Sequence, residues 1–359
     1  MKKFFLMFLL VTLNCQLAIV SHAFFVGFGS AGAVDQVIRK GQEEGKIPKT
    51  PGSDKTTPGV EKIFDPTVIE TITVGNGPWE VAVTPNGYYA YVTNYNSNNV
   101  SVIRISDNTV IDTIPVVNSP DGVAVTPNGN YVYVTNSGSD NVSVIRISDN
   151  TVIDTIPVGN APFGVAVTPN GDYAYVTNYG SGNVSAIRIS DNTVIDTIPV
   201  GNGPDGVAVT PNGYYVYVTN SGSDNVSVIR ISDNTVIDTM PVGNAPFGVA
   251  VTPNGDYVYV TNYGSGNVSV IRTSDNAVID TIPVGNGPLG VAVIPNGDYV
   301  YVANYYFGNV SVIRISDNTV IDTIAVGNEP SGVAVTPNGY YAYVVNVESG
   351  NISVLKNYR

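Results

Sequence analysis

The positions that could carry chemistry stand in two columns, each read once per copy of a repeated unit. One column is Trp79, Asp121, Phe163, Asp205, Phe247, Leu289 and Ser331, each directly after a Pro. The other is Tyr95, Ser137, Tyr179, Ser221, Tyr263, Tyr305 and Val347, each directly after an Asn. The columns vary together: large apolar goes with Tyr, and Asp goes with Ser. Positions 16 apart that vary like this, as in Trp79 and Tyr95, are expected to be neighbours. They predict aromatic or apolar clusters at Trp79–Tyr95, Phe163–Tyr179, Phe247–Tyr263 and Leu289–Tyr305, with Tyr306 and Phe307 enlarging the last. Acidic clusters are expected at Asp121 and Asp205, helped by Asp140 and Asp224. Aromatic rings beside carboxylates suit stacking on sugars or gripping a peptide. The competing explanation is that each aromatic pair staples its own two loops.

Other chemistry is excluded by what the chain lacks. The only His is His22 and the only Cys is Cys15. Both fall in an amino-terminal segment that reads as a secretory signal: Lys2 and Lys3, an apolar run from Phe4 to Leu13, and a small-x-small site at Ser21-His22-Ala23. A chain processed there holds no Cys nucleophile, no Ser-His-Asp triad, and no zinc site built from His or Cys. No side chain with an unperturbed pKa near 7 remains. Kept as an anchor, Phe4 to Val20 would be nearly long enough to span a membrane. The net charge of −13 repels phosphate backbones and argues against nucleic acid as a partner.

The elements that position these columns follow from the repeat. Pro-Asn-Gly starts at Pro85, Pro127, Pro169, Pro211, Pro253, Pro295 and Pro337, a spacing of 42 residues. Each unit holds four short β-rich segments, the signature of a propeller blade. The units begin with half a blade: Thr67 to Val74 matches a fourth strand. They end with three strands, Gly332 to Thr336, Tyr341 to Asn346 and Asn351 to Lys356. A ring of seven blades is therefore expected to close by pairing the first strand with the last three. Pro115, Pro157, Pro199, Pro241 and Pro283 mark the fourth strand as an outer edge. Arg104 and Asp112, with their repeats, are expected to pair across the third and fourth strands. Lys356 and Glu70 are the expected equivalents at the closing blade. The expected organisation is a signal over 1–23, a flexible linker over 24–62, and an all-β seven-bladed propeller of four-stranded antiparallel blades over 63–359.

Tyr-Val-Thr-Asn at Tyr91 to Asn94, Tyr133 to Asn136, Tyr175 to Asn178, Tyr217 to Asn220 and Tyr259 to Asn262, with flanking Thr-Pro-Asn-Gly and Asn-Val-Ser-Val, resembles the YVTN β-propeller repeat family. The resemblance covers about residues 66 to 356. It implies a seven-bladed propeller like archaeal surface-layer modules and exported bacterial propellers. The wider clan it points to includes lactonase-like, lyase-like and redox propellers, many of which rely on His.

The reading is an exported, non-catalytic binding or scaffold propeller, without cofactor or bound metal, whose partner is an envelope protein or glycan. It would work in the periplasm, at the cell surface or as a secreted protein, with no membrane span after signal cleavage. Its expected contact residues are Trp79, Tyr95, Asp121, Phe163, Tyr179, Asp205, Phe247, Tyr263, Leu289 and Tyr305. Two alternatives stay open. One is an enzyme using carboxylates or a hard metal in the central channel, with Asp121 and Asp205 as acid and base. The other is a self-assembling surface-layer component. The oligomeric state is left open.

Overall fold

Strands form wherever Val, Ile, Thr and Tyr alternate between Asn-Gly and Asp-Asn turns. The computed structural model describes residues 64–357; the expected signal and linker lie outside them. Among the described residues, twenty-eight strands assort into seven four-stranded antiparallel sheets. In the first blade the order from the axis outward is Pro78–Val83, Tyr89–Asn94, Asn99–Arg104 and Thr109–Pro115. Turn residues take the left-handed conformation where the chain reverses, as at Gly87 with φ 71° and Asn108 with φ 52°.

The ring closes as expected. Thr67–Thr73 pairs antiparallel with Asn351–Lys356, from Thr67 opposite Lys356 to Thr73 opposite Asn351. A further closing contact lies just before that strand. In five other blades an Ile after the third strand, such as Ile147 or Ile189, packs into the cluster between blades. In the closing blade that position is Asn357. Phe64 enters the cluster between the sixth and seventh blades and stacks on Tyr299 with ring centroids 4.0 Å apart.

The core lies between blades. Tyr91, Val100, Val102 and Ile114 of the first blade meet Val123, Val132, Val134 and Ile145 of the second. Second and third strands are therefore buried along most of their length, whereas Thr109–Pro115 buries only Ile114.

The expected Arg–Asp ladder pair is not formed. Arg104 binds Asp107 in its own turn at 2.6 Å, and the five later Arg residues repeat this. An irregularity between Val102 and Ile103 adds a residue to the fourth strand and sets Asp112 opposite Val102, away from Arg104. Asp112 instead accepts from the Asn150 side chain of the next blade at 2.9 Å, and the Tyr91 hydroxyl donates to the same Asn150 amide at 2.9 Å. Glu70 keeps the acidic charge for the same purpose: it accepts from Asn108 at 2.7 Å, and Tyr343 donates to Asn108 at 2.6 Å.

Candidate functional site

The inner strand of each blade is built with a fault that aims two residues at the axis. Pro162 pairs with Asn178 and Val165 with Val176, so Phe163 and Gly164 together oppose the single residue Thr177. A bulge of this kind re-aims side chains and leaves backbone groups unpaired. The Thr177 hydroxyl satisfies them: it accepts from Gly164 N at 2.8 Å and donates to the carbonyl of Asp205 in the next blade at 2.6 Å. Thr93, Thr135, Thr219 and Thr261 make the same stitch. The last blade has Val345 in place of Thr, and Ser331 Oγ donates to the Trp79 carbonyl at 2.6 Å instead. Ser331 is thus accounted for by ring closure.

The bulges of all seven blades surround a cavity of 210 Å³ on the axis, lined by Trp79, Glu80, Asp121, Asp205, Phe247 and Leu289 among others. Glu80 is the residue that sequence reasoning passed over. Every other blade places Gly at its position, and a Cβ there would collide with the next blade: at Gly122 it would lie 2.3 Å from the Phe163 carbonyl oxygen. Gly332 is the neighbour that gives Glu80 its room, since a Cβ on it would stand 2.6 Å from Glu80 Oε1. The broken Gly column was the available signal.

The three carboxyls occupy distinct environments. Burial pushes Glu80 up to about 7, opposed by a hydrogen bond from Val81 N at 3.1 Å. Asp121 is 8% exposed. Its burial and then the nearby Glu80 charge push it well above the usual carboxylate range, while a hydrogen bond from the Trp79 side chain acts the other way. Asp205 is 5% exposed and is raised by burial and then by Asp121. Carboxyls that ionise at different pH within one cavity can act as an acid and a base. Among the described residues no three Asp, Glu, His or Cys side chains gather as a metal ion would need.

The aromatic column is only partly a rim. Trp79 lies against Tyr95 with centroids 6.5 Å apart, and Phe163 stacks on Tyr179 at 4.8 Å. These paired positions are neighbours, as their joint variation predicts. Tyr263 meets Tyr306 of the following blade, hydroxyl to hydroxyl. Leu289 and Tyr305 are buried, and the exposed surface there is Tyr306 and Phe307. Asp140 and Asp224 do not extend the acidic group: each accepts from a linker backbone, at Ala161 N and Ala245 N.

The model of the family described as "Lactonase, 7-bladed beta-propeller" matches residues 59–195 and 192–277. Among solved structures, Kuenenia stuttgartiensis hydrazine synthase is similar at a TM-score of 0.73 and 24% identity, over 79% of this chain and 97% of that one. A functionally unknown protein from Desulfotomaculum acetoxidans DSM 771 is similar at a TM-score of 0.66 and 19% identity, over 74% and 90%. At those identities the two structures speak for the fold. No curated protein matches the chain. The family match overturns the expectation of a non-catalytic chain. That expectation rested on the absence of His, which excludes imidazole chemistry but not a carboxyl pair raised by burial. The chain belongs to the lactonase family of seven-bladed β-propellers.

Proposed function

We propose that this protein is a lactonase-like hydrolase that opens a cyclic ester by attack of water in the axial cavity. The observation that carries this reading is the pairing of Glu80 and Asp121 in adjacent blades, where the charge on one holds the proton on the other. Glu80 ionises first, near neutrality. As general base it takes a proton from water while the water oxygen attacks the lactone carbonyl. Asp121 keeps its proton and delivers it to the ring oxygen as the ring C–O bond breaks, giving a hydroxy acid. Trp79, through its hydrogen bond, orients the Asp121 carboxyl. The aromatic pairs Trp79–Tyr95 and Phe163–Tyr179 shape the approach to the cavity. The Tyr-Val-Thr-Asn resemblance and the apolar amino-terminal run support an enzyme that works outside the cytoplasm.

The test is lactone hydrolysis followed by acid release at fixed pH, starting with γ-butyrolactone and α-amino-γ-butyrolactone. The rate should rise as pH passes through about 7 and Glu80 ionises, then fall as Asp121 loses its proton. Glu80→Gln and Asp121→Asn should each lower it roughly 100- to 10,000-fold. A wild-type rate no greater than that of Glu80→Gln across a lactone panel would overturn the reading.

A further inference from the structure

The acid–base pair leaves the third carboxyl of the cavity without a task. Glu80 is held by Val81 N and Asp121 by Trp79, but no described residue donates a hydrogen bond to the Asp205 carboxyl. Asp205 is 5% exposed, and it opens into the 210 Å³ cavity. A buried carboxyl without a donor is costly to the fold and is expected only where something outside the fold completes it.

The chemistry of that missing partner can be read from the surroundings. Among the described residues no Lys, Arg or His lines the cavity. Each Arg among the described residues is bound to an Asp in a third-to-fourth-strand turn, away from the axis. The groups facing Asp205 are Asp121 and the Tyr179 hydroxyl, which is itself hydrogen-bonded to Ser221. The field in the cavity therefore has one sign, and an opening lined by one sign of charge concentrates the opposite ion. Phe247, Leu289 and Trp79 line the same space, offering apolar surface to a carbon frame and aromatic faces to a cation.

We propose that Asp205 is the specificity residue of the channel: it receives the ammonium group of a cationic substrate, so the enzyme prefers amino-lactones and related amino-esters to neutral or anionic ones. The inference rests on the hydrolytic reading for the word substrate, and on Asp205 alone for the cation site. The ammonium supplies the donors that the carboxyl lacks and pins the ring with its carbonyl toward Glu80 and Asp121. Ionisation of Asp205 then accompanies binding, so a proton leaves as the cation enters.

Calorimetric titration of the purified protein with α-amino-γ-butyrolactam and with neutral γ-butyrolactam tests this without turnover. The amino-lactam should bind at least about tenfold more tightly. Titration in two buffers of different ionisation enthalpy should show proton release for the cation alone. The preference should vanish in Asp205→Asn, which removes the charge at constant volume, and in Asp205→Ser should that variant fold better. Equal affinity for the two lactams, or an undiminished preference in folded Asp205 variants, would overturn the inference. Hydrolysis of γ-butyrolactone with no preference for its amino analogue would defeat the cation site and leave the hydrolase standing. Amino-lactam binding through Asp205 with no lactone hydrolysed would do the reverse.

Discussion

Glu80 shows what a single side chain costs and provides in this ring. Its carboxyl sits where six other blades carry Gly, and burial lifts it from 4.5 to about 7. A carboxyl raised in the folded state is bound to a proton more tightly there than in the unfolded chain. Its contribution to stability is full below pH 4.5 and is lost as pH rises through about 7. Asp121 and Asp205 act in the same direction. Glu80→Gln should therefore match the parent in stability at acid pH and exceed it by about 2 kcal/mol at alkaline pH, while activity falls. Denaturant unfolding at the two extremes of pH checks this. A gain from Glu80→Gln that is largest in acid would show that burial is not the dominant cause of the shift.

At the scale of elements, the inter-blade clamp is an Asn in a turn that binds both a Tyr and an Asp of the preceding blade. Asn150 also holds φ at 54°, a left-handed conformation that Asn adopts at lower cost than Ala, which takes it here only at Ala161 and Ala245 in the links between blades. Asn150→Ala should cost about 2 to 3 kcal/mol, from two lost hydrogen bonds and backbone strain. Asn150→Gly, which keeps the conformation but not the bonds, should cost about 1 to 2 kcal/mol. Equal losses in denaturant midpoints for the two variants would assign the whole effect to the bonds. The same element marks the limit of what the sequence discloses. Strand order was legible from the edge Pro residues, because it depends on local backbone preference. The partner of Asp112 was not legible, because one inserted residue in the fourth strand changes its register and spacing carries no sign of that. The site followed the same rule. Asp121 and Asp205 stood out as acids in an apolar column. Glu80 was hidden because its meaning depends on the Gly residues opposite, and on a bulge that turns it toward the axis.

For the whole molecule the question is what makes seven similar blades one ring around one cavity rather than a stack. The three carboxyls come from the first, second and fourth blades, so the cavity exists only if the ring is closed. Closure depends on residues far apart in the chain: Thr67–Thr73 on Asn351–Lys356, Phe64 against Tyr299, Tyr343 on Asn108, and Ser331 on the Trp79 carbonyl. A chain lacking residues 64–74 would leave the seventh blade with three strands and a bare edge at Asn351–Lys356. Loss of Phe64 and Ile72 from the core alone should remove about 3 to 5 kcal/mol. The exposed edge should add concentration-dependent association. Thermal unfolding should move well down, and lactone hydrolysis should fall with it, because Trp79 and Glu80 follow directly on the missing strand. A synthetic peptide of residues 64–74 supplied in excess should restore both properties together, since it binds the folded ring and not the unfolded chain. Recovery of stability without activity would mean that the strand closes the ring but does not position Glu80. Unchanged unfolding after the deletion would show that the ring is held by the other blades, and that the amino-terminal strand is an ornament to it.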